Sequence, residues 1–190
     1  RNMIILVLGG IISSSLFSAL LSIIKYGADT NDVLPAITYW LMGSLSFSTS
    51  SIVWNLTIPM LSGILILIFF SKYLNALSLG DEEAKALGVN TKLLKLIIIL
   101  VATLISALSV ILAGIIGWIG LIIPHITRLI FGADNKVILP MSALIGAIFL
   151  LLVDNVSKLI FSFEIPIGIV TAIIGIPIFI FVLKNAKKGF

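Results

Sequence analysis

Residues 3–24 form a 22-residue run without one charged side chain. As a helix rising about 1.5 Å per residue, such a run is long enough to cross a hydrocarbon core of roughly 30 Å. Comparable apolar runs occupy 52–70, 93–116, 137–161 and 166–183. Hydrocarbon offers no partner to backbone N–H and C=O groups, so segments that cross it without closing a barrel must be helices. The expected fold class is therefore all-α, a polytopic transmembrane helical bundle with about six spans, some of them broken. Composition excludes the soluble alternative. The chain is 60% hydrophobic and 11% charged, its mean hydropathy is +1.28, and a soluble domain would carry roughly a quarter charged residues. Cysteine is absent, which removes disulfides, thiolate metal sites and cysteine nucleophiles together.

One stretch between the apolar runs cannot stay in lipid. Residues 79–90 hold Asp81, Glu82 and Glu83, three of the eight acidic residues, and buried charges are costly in a bilayer. Its local chemistry predicts a short helix standing in water. Asp81, or Ser78 a turn earlier, is placed to cap the first free N–H groups, and Glu82 and Glu83 suit the positive end of the helix dipole. Gly88 supplies a left-handed stop, with Val89 set for the apolar contact that often accompanies one. Taken alone, this is either a capped surface turn or a docking knob for a soluble partner.

Elsewhere the order of residues predicts particular breaks and faces. Gly10, Ser14, Ser18 and Ser22 recur at every fourth position and form a narrow stripe of small residues, suited to close helix packing or to a weakly polar pathway wall. Residues 37–43, rich in aromatics, read as a short helix along the membrane surface. Pro59 and Gly63 are expected to bend the second span. Gly114, Gly117 and Gly120 break the third run, leaving 121–131 too short to cross alone and buried against other helices. Residues 132–136 read as a turn. Asp154 and Lys158 face one another at i and i+4 and should pair near a membrane surface. Gly168, Gly175 and Pro177 are expected to break the last span.

Positive charge sets an orientation. With the 79–90 knob in the cytoplasm, ten basic residues lie on that side: Arg1, Lys72, Lys85, Lys92, Lys95, Arg128, Lys136, Lys184, Lys187 and Lys188. Only Lys25 and Lys158 lie outside. This positive-inside pattern requires 121–131 to complete a crossing, and it gives six crossings with both ends cytoplasmic. Net charge of +4 thus reports topology, with membrane lipid as the surrounding partner, and not nucleic-acid binding. Because the chain opens at Arg1 without an initiator methionine, it is expected to be a fragment of a longer protein.

No enzyme constellation emerges. His125 is the only histidine and has no carboxylate cluster near it in sequence, so no catalytic, cofactor or metal residues are expected. The glycines of 114–120 lack the Lys-Ser/Thr of a phosphate loop. Energy for any transport would come from another subunit. Two rivals remain: a gradient-driven secondary transporter with broken helices, for which Asp154 is the only deep ionisable candidate, and a non-transporting scaffold.

Several long strings resemble one family. Residues 113–129 (AGIIGWIGLIIPHITRL), 139–147 (LPMSALIGA) and 164–179 (EIPIGIVTAIIGIPIF), with Tyr39 to Ser44 and the knob upstream, are similar to permease subunits of ATP-driven importers for iron–siderophores, haem and vitamin B12, the FecCD or BtuC-like family. The resemblance covers most of the chain. It implies a ten-helix type II importer permease of which this chain holds the C-terminal part, helices five to ten. It also implies a homodimer or paralogous heterodimer, separate ATPase subunits and an extracytoplasmic substrate-binding protein, all at the cell membrane, with an iron chelate as the expected substrate class. The knob, a coupling loop at about 74–92, resembles the helices that seat in the ATPase, through Leu79, Gly80, Asp81, Glu82, Glu83, Ala84, Leu87 and Gly88. Lys158 stands where relatives present a basic residue, more familiarly Arg, to the binding protein, and the helix with the small stripe matches the one lining the pathway.

Overall fold

A computed structural model describes the backbone of residues 2–187 and the side chains of 3–185. Arg1 and Lys188, counted above for orientation, lie outside the described residues, and so does the side chain of Lys187. Nine α-helices and no strand are present among the described residues. They fall into two units, 1–41 and 42–190.

The first unit holds α1 (Asn2–Gly27) and nearly all of α2 (Val33–Met42). The 26 residues of α1 absorb the whole uncharged run and add a turn at its end. Its apolar side chains are exposed along their length, from Met3 through Ile24. Along the small stripe, nothing lies within 4 Å of a methyl built on Gly10, and the Ser22 hydroxyl donates back to the Ser18 carbonyl at 2.9 Å. α2 begins four residues earlier than the sequence suggested, immediately after the Asp29–Asp32 turn.

In the second unit, α3 (Ser50–Phe69), α6 (Thr91–Ala113), α8 (Asn135–Leu159) and α9 (Ile167–Lys187) are the long rods, with α7 (Ile119–Phe131) beside α8 and α9. Two short helices, α4 (Ser71–Leu77) and α5 (Asp81–Ala86), join α3 to α6. With α1, the long rods make five helices of membrane-crossing length and hydropathy. Pro59 and Gly63 do not interrupt α3, and Gly168, Gly175 and Pro177 do not break α9. The glycines serve approach instead. A methyl on Gly63 would lie 2.7 Å from Ile105 Cγ1 of α6, and one on Gly175 would meet Ile122 Cδ1 at 2.6 Å and Trp118 Cβ at 3.2 Å.

The predicted break after α6 is present and narrower than expected. α6 stops at Gly114 (φ +71°), and α7 starts at Ile119, two residues before the sequence reading placed it. Between them Trp118 takes φ +69°, the only positive φ outside glycine among the described residues, while the Ile119 N–H donates to the Gly117 carbonyl at 2.8 Å. This three-residue turn lowers the chain along α9. The Ile115 carbonyl faces Gly168, whereas Trp118 faces Gly175, seven residues and about 10 Å further along the helix. The 13 residues of α7 add roughly 20 Å more. Break and helix together match a bilayer core of about 30 Å, and Ile122, Ile123 and Thr127 are buried as this segment's shortness required.

Where α3, α6, α8 and α9 meet away from the short helices, backbones bind directly to one another. The Ser44 N–H donates to the Ala113 carbonyl (2.9 Å), the Ile167 N–H to the Gly43 carbonyl (3.0 Å) and the Ile165 N–H to the Ser157 carbonyl (3.0 Å). Val153, Ile167 and Val170 form the buried cluster beneath. Gly168 permits this, since any methyl there would overlap the Met42 carbonyl oxygen. Overpacking of this kind typically costs about 1–3 kcal/mol. Gly168→Ala is therefore expected to lower the detergent melting temperature, while Gly146→Ala, whose methyl would meet only Ile123 Cγ2 at 3.7 Å, should leave it unchanged or raise it.

Candidate functional site

The polar stretch folds as a knob of two short helices. α4 leaves α3 at Phe70, and Gly80 then turns the chain with φ +120° and ψ 158°, a region open essentially only to glycine. Gly80 is thus the residue that caps α5, not Asp81 or Ser78 as the sequence suggested. The Ser78 hydroxyl donates back to the Asn75 carbonyl at 2.6 Å, and Asp81 is the first helical residue. Its carboxylate accepts two hydrogen bonds from Lys95, at 2.7 and 2.9 Å, which fastens the knob to the first turns of α6. Glu82 pairs with Lys85 at 2.9 Å on the open face and raises the lysine's pKa. Glu83 folds its carboxylate over Gly80.

The stop at Gly88 takes the form read from the sequence. Gly88 has φ +85°, its N–H donates to the Lys85 carbonyl (2.9 Å), and the Val89 N–H donates to the Ala84 carbonyl (3.0 Å). These two bonds complete a Schellman stop. Ala84 has no exposed surface, while Leu79 and Leu87 are each about two-thirds exposed. The knob therefore has a buried base and a protruding apolar and acidic crown. Beneath it Phe70, Tyr73, Val89, Leu93 and Ile97 line a shallow cavity of about 150 Å³.

A tie that sequence reasoning missed joins the knob to α8. The Asn75 amide donates to Asp134 Oδ1 at 2.7 Å, and its own oxygen accepts the Asn135 backbone N–H at 2.8 Å. Asp134 caps α8 by accepting from the Lys136 N–H at 3.0 Å. The Asn75 amide, foremost, and the Lys136 N–H hold the Asp134 carboxyl below its usual range. Asp134 before a long apolar run was a recognisable cap signal; its partner, 59 residues away, was not.

At the opposite end, Asp154 and Lys158 pair at 3.1 Å, as expected, with the lysine side chain 42% exposed and the aspartate 16%. Two turns on, Glu164 accepts from the hydroxyls of Ser44 and Ser46, both at 2.8 Å. The sequence reading gave it no role beyond opening the 164–179 string. No cluster of metal-ligating side chains exists among the described residues, and His125 sits mid-helix in α7, its ring 6.3 Å from Phe179. Hydrogen bonding by Ser44, with help from Ser46 and the Lys158 charge, holds Glu164 below the usual carboxylate range against the upward push of burial. A carboxylate whose folded pKa lies below its unfolded one stabilises the fold above the unfolded value and loses that contribution as pH falls through the folded one. Hydrogen-exchange protection of residues 44–47 is thus expected to be constant from about pH 8 down to about 5 and to fall only in more acid solution, with Glu164→Gln lowering it at neutral pH.

Comparison with known proteins places this arrangement. The FecCD transport family model matches residues 1–185. The molybdate import system permease protein MolB of Haemophilus influenzae is 43% identical over 189 residues, covering 100% of this chain and 56% of that protein. The Fe(3+)-citrate import system permease protein YfmD of Bacillus subtilis is 38% identical over 176 residues, 92% of this chain and 51% of that one. A solved inward-facing structure described as a metal-chelate type ABC transporter superposes with a TM-score of 0.87 at 45% identity, covering 93% of this chain and 57% of the solved one. The chain spans about half the length of the curated relatives it matches.

Proposed function

The chain belongs to the FecCD transport family, and on that premise we propose that it is part of a permease subunit of an ATP-binding-cassette importer in the cell membrane, acting by alternating access. The observation that carries this reading is the knob. It is a pair of short helices, the second closed by the Gly88 stop, inserted between two membrane-length rods, anchored below and open above. An ATPase subunit closing on its crown of Leu79, Glu82, Glu83 and Leu87 would move α3 and α6 as well, because Asp81 holds Lys95 and Ala84 is packed shut. A flexible loop would yield instead. The permease performs no bond chemistry in this reading.

At the far end, the ammonium of Lys158 is exposed although paired. Acidic groups on a binding protein could compete with Asp154 for it. Lys in place of Arg offers a point charge without a bidentate fork, so this contact would steer docking more than fix its geometry. The pairing of Asp154 with Lys158 also disfavours the gradient-driven rival, which needs an ionisable group free to take up and release its ion. The stripe of Gly10, Ser14, Ser18 and Ser22 would form a pathway wall, and a second permease, identical or paralogous, would complete the pathway.

Cargo is read as a metal carried in anionic or chelated form. Iron chelates fit the citrate relative, and molybdate fits the 43% identical one. Uptake of both by the complete permease, reconstituted with its ATPase and binding protein, decides between them. A permease that moves either cargo without an ATPase present would overturn the proposal.

Gly88→Val is expected to reduce cargo moved per ATP hydrolysed in such vesicles by tenfold or more, since a left-handed position costs an ordinary side chain about 1–2 kcal/mol and a β-branched one no less. Placed alone in this cysteine-free chain, a cysteine replacing Glu83 should react with a membrane-impermeant maleimide only from the cytoplasmic side. Labelling from outside would invert the topology.

A further inference from the structure

α8, like α6, touches both ends of the second unit. Its cap, Asp134, and first residue, Asn135, hold Asn75 at the knob, and its last turns carry Asp154 and Lys158. Its 25 residues make a rod of about 37 Å. Lys95 fastens the knob to α6 through Asp81. α4 packs against α8, and the Asn75 side chain adds a polar tie there, its amide nitrogen and oxygen both engaged, one by a side chain and one by the backbone of the helix start.

We infer that Asn75 is a positioning residue that clasps the knob to α8, so that a binding protein docked near Lys158 and an ATPase docked on the knob act on the same rigid rod. The inference rests on the proposed role of the knob. The polarity of the clasp makes it testable. The Asn135 N–H needs an acceptor at position 75, and Asp134 Oδ1 needs a donor there. Aspartate at 75 keeps the first bond, loses the second and sets two carboxylates against each other. Exchanging the two residues restores the donor–acceptor pair between 75 and 134 and removes the repulsion, an amide at 134 donating to a carboxylate at 75, but it gives up the cap bond from the Lys136 N–H, because Asp134 Oδ1 accepts from both Asn75 and Lys136.

The experiment uses the complete permease in nanodiscs with its ATPase and its binding protein, the latter supplied with molybdate in one series and ferric citrate in another. Two quantities are read: ATPase retained per permease, and the ratio of ATP hydrolysis with binding protein to hydrolysis without it. Asn75→Asp should lower that ratio at least fivefold with ATPase retention unchanged. Asp134→Asn alone, which preserves both bonds, should stay within twofold of the parent, and the Asn75→Asp/Asp134→Asn exchange, which remakes the clasp without the Lys136 cap bond, should recover at least half of the ratio lost in Asn75→Asp. An undiminished ratio in Asn75→Asp, or an exchange variant that stays low or fails to assemble, overturns the clasp. If Asn75→Asp itself does not assemble, the exchange variant decides by the same ratio. A parent permease that retains no ATPase removes the proposed function, and the inference with it, before any variant is compared.

Discussion

Backbone groups released where a helix stops in an apolar chain must find partners within the protein, since hydrocarbon supplies none. The second unit is organised around meeting that demand twice. At the end away from the knob, three chain segments satisfy one another directly, Ser44 with Ala113, Ile167 with Gly43 and Ile165 with Ser157. At the knob end the demand is met by caps: Asn90 for α6, Asp134 for α8 and the Gly88 stop for α5. Away from Pro59, Pro140 and Pro177, which donate no backbone hydrogen bond, the long rods between satisfy their own backbone groups, and side chains set how closely they lie. Gly63 and Gly175 act there by letting Ile105, Trp118 and Ile122 come close.

Patterns that repeat within a turn or two were legible in the sequence. The apolar runs gave five membrane-length helices, the i,i+4 spacing gave the Asp154–Lys158 pair, and the glycine after a capped acidic turn gave the stop at Gly88. Glycine and proline inside apolar runs were misread as breaks in α9 because a single residue does not reveal whether it ends a helix or admits a neighbour. Gly114 and Gly168 look alike in sequence; one has φ +71° and closes α6, the other lies within a helix against the Met42 carbonyl. Polar pairs far apart in the chain were invisible for a different reason. Asn75 with Asp134, and Ser44 with Glu164, are chosen by the packing of whole helices, which no local pattern encodes.

The two polar ends also differ in kind. The knob holds exposed ion pairs, such as Glu82–Lys85, which contribute little by themselves, on a base that is closed. Its value lies in shape held by backbone stops. The far end is the reverse: one carboxylate, Glu164, gathers two hydroxyls and a turn of 3-10 helix at Leu45–Phe47 around itself. Trp118 belongs to neither. Its left-handed turn, a conformation that costs a non-glycine residue on the order of 1–3 kcal/mol, is held by the packing of its ring on Phe179.

Sequence distance separates these ends in time as well. The hydrogen bonds described within the knob and to α6 span no more than 14 residues, so these form as soon as that short piece of chain has left the ribosome, with little loop entropy to overcome. The Ser44–Glu164 bond spans 120 residues. Until α9 is synthesised and inserted, the released carbonyl of Gly43 has no Ile167 to meet. During biogenesis the nascent protein therefore carries a folded knob, not yet clasped to α8, on a bundle whose opposite mouth is still unsealed.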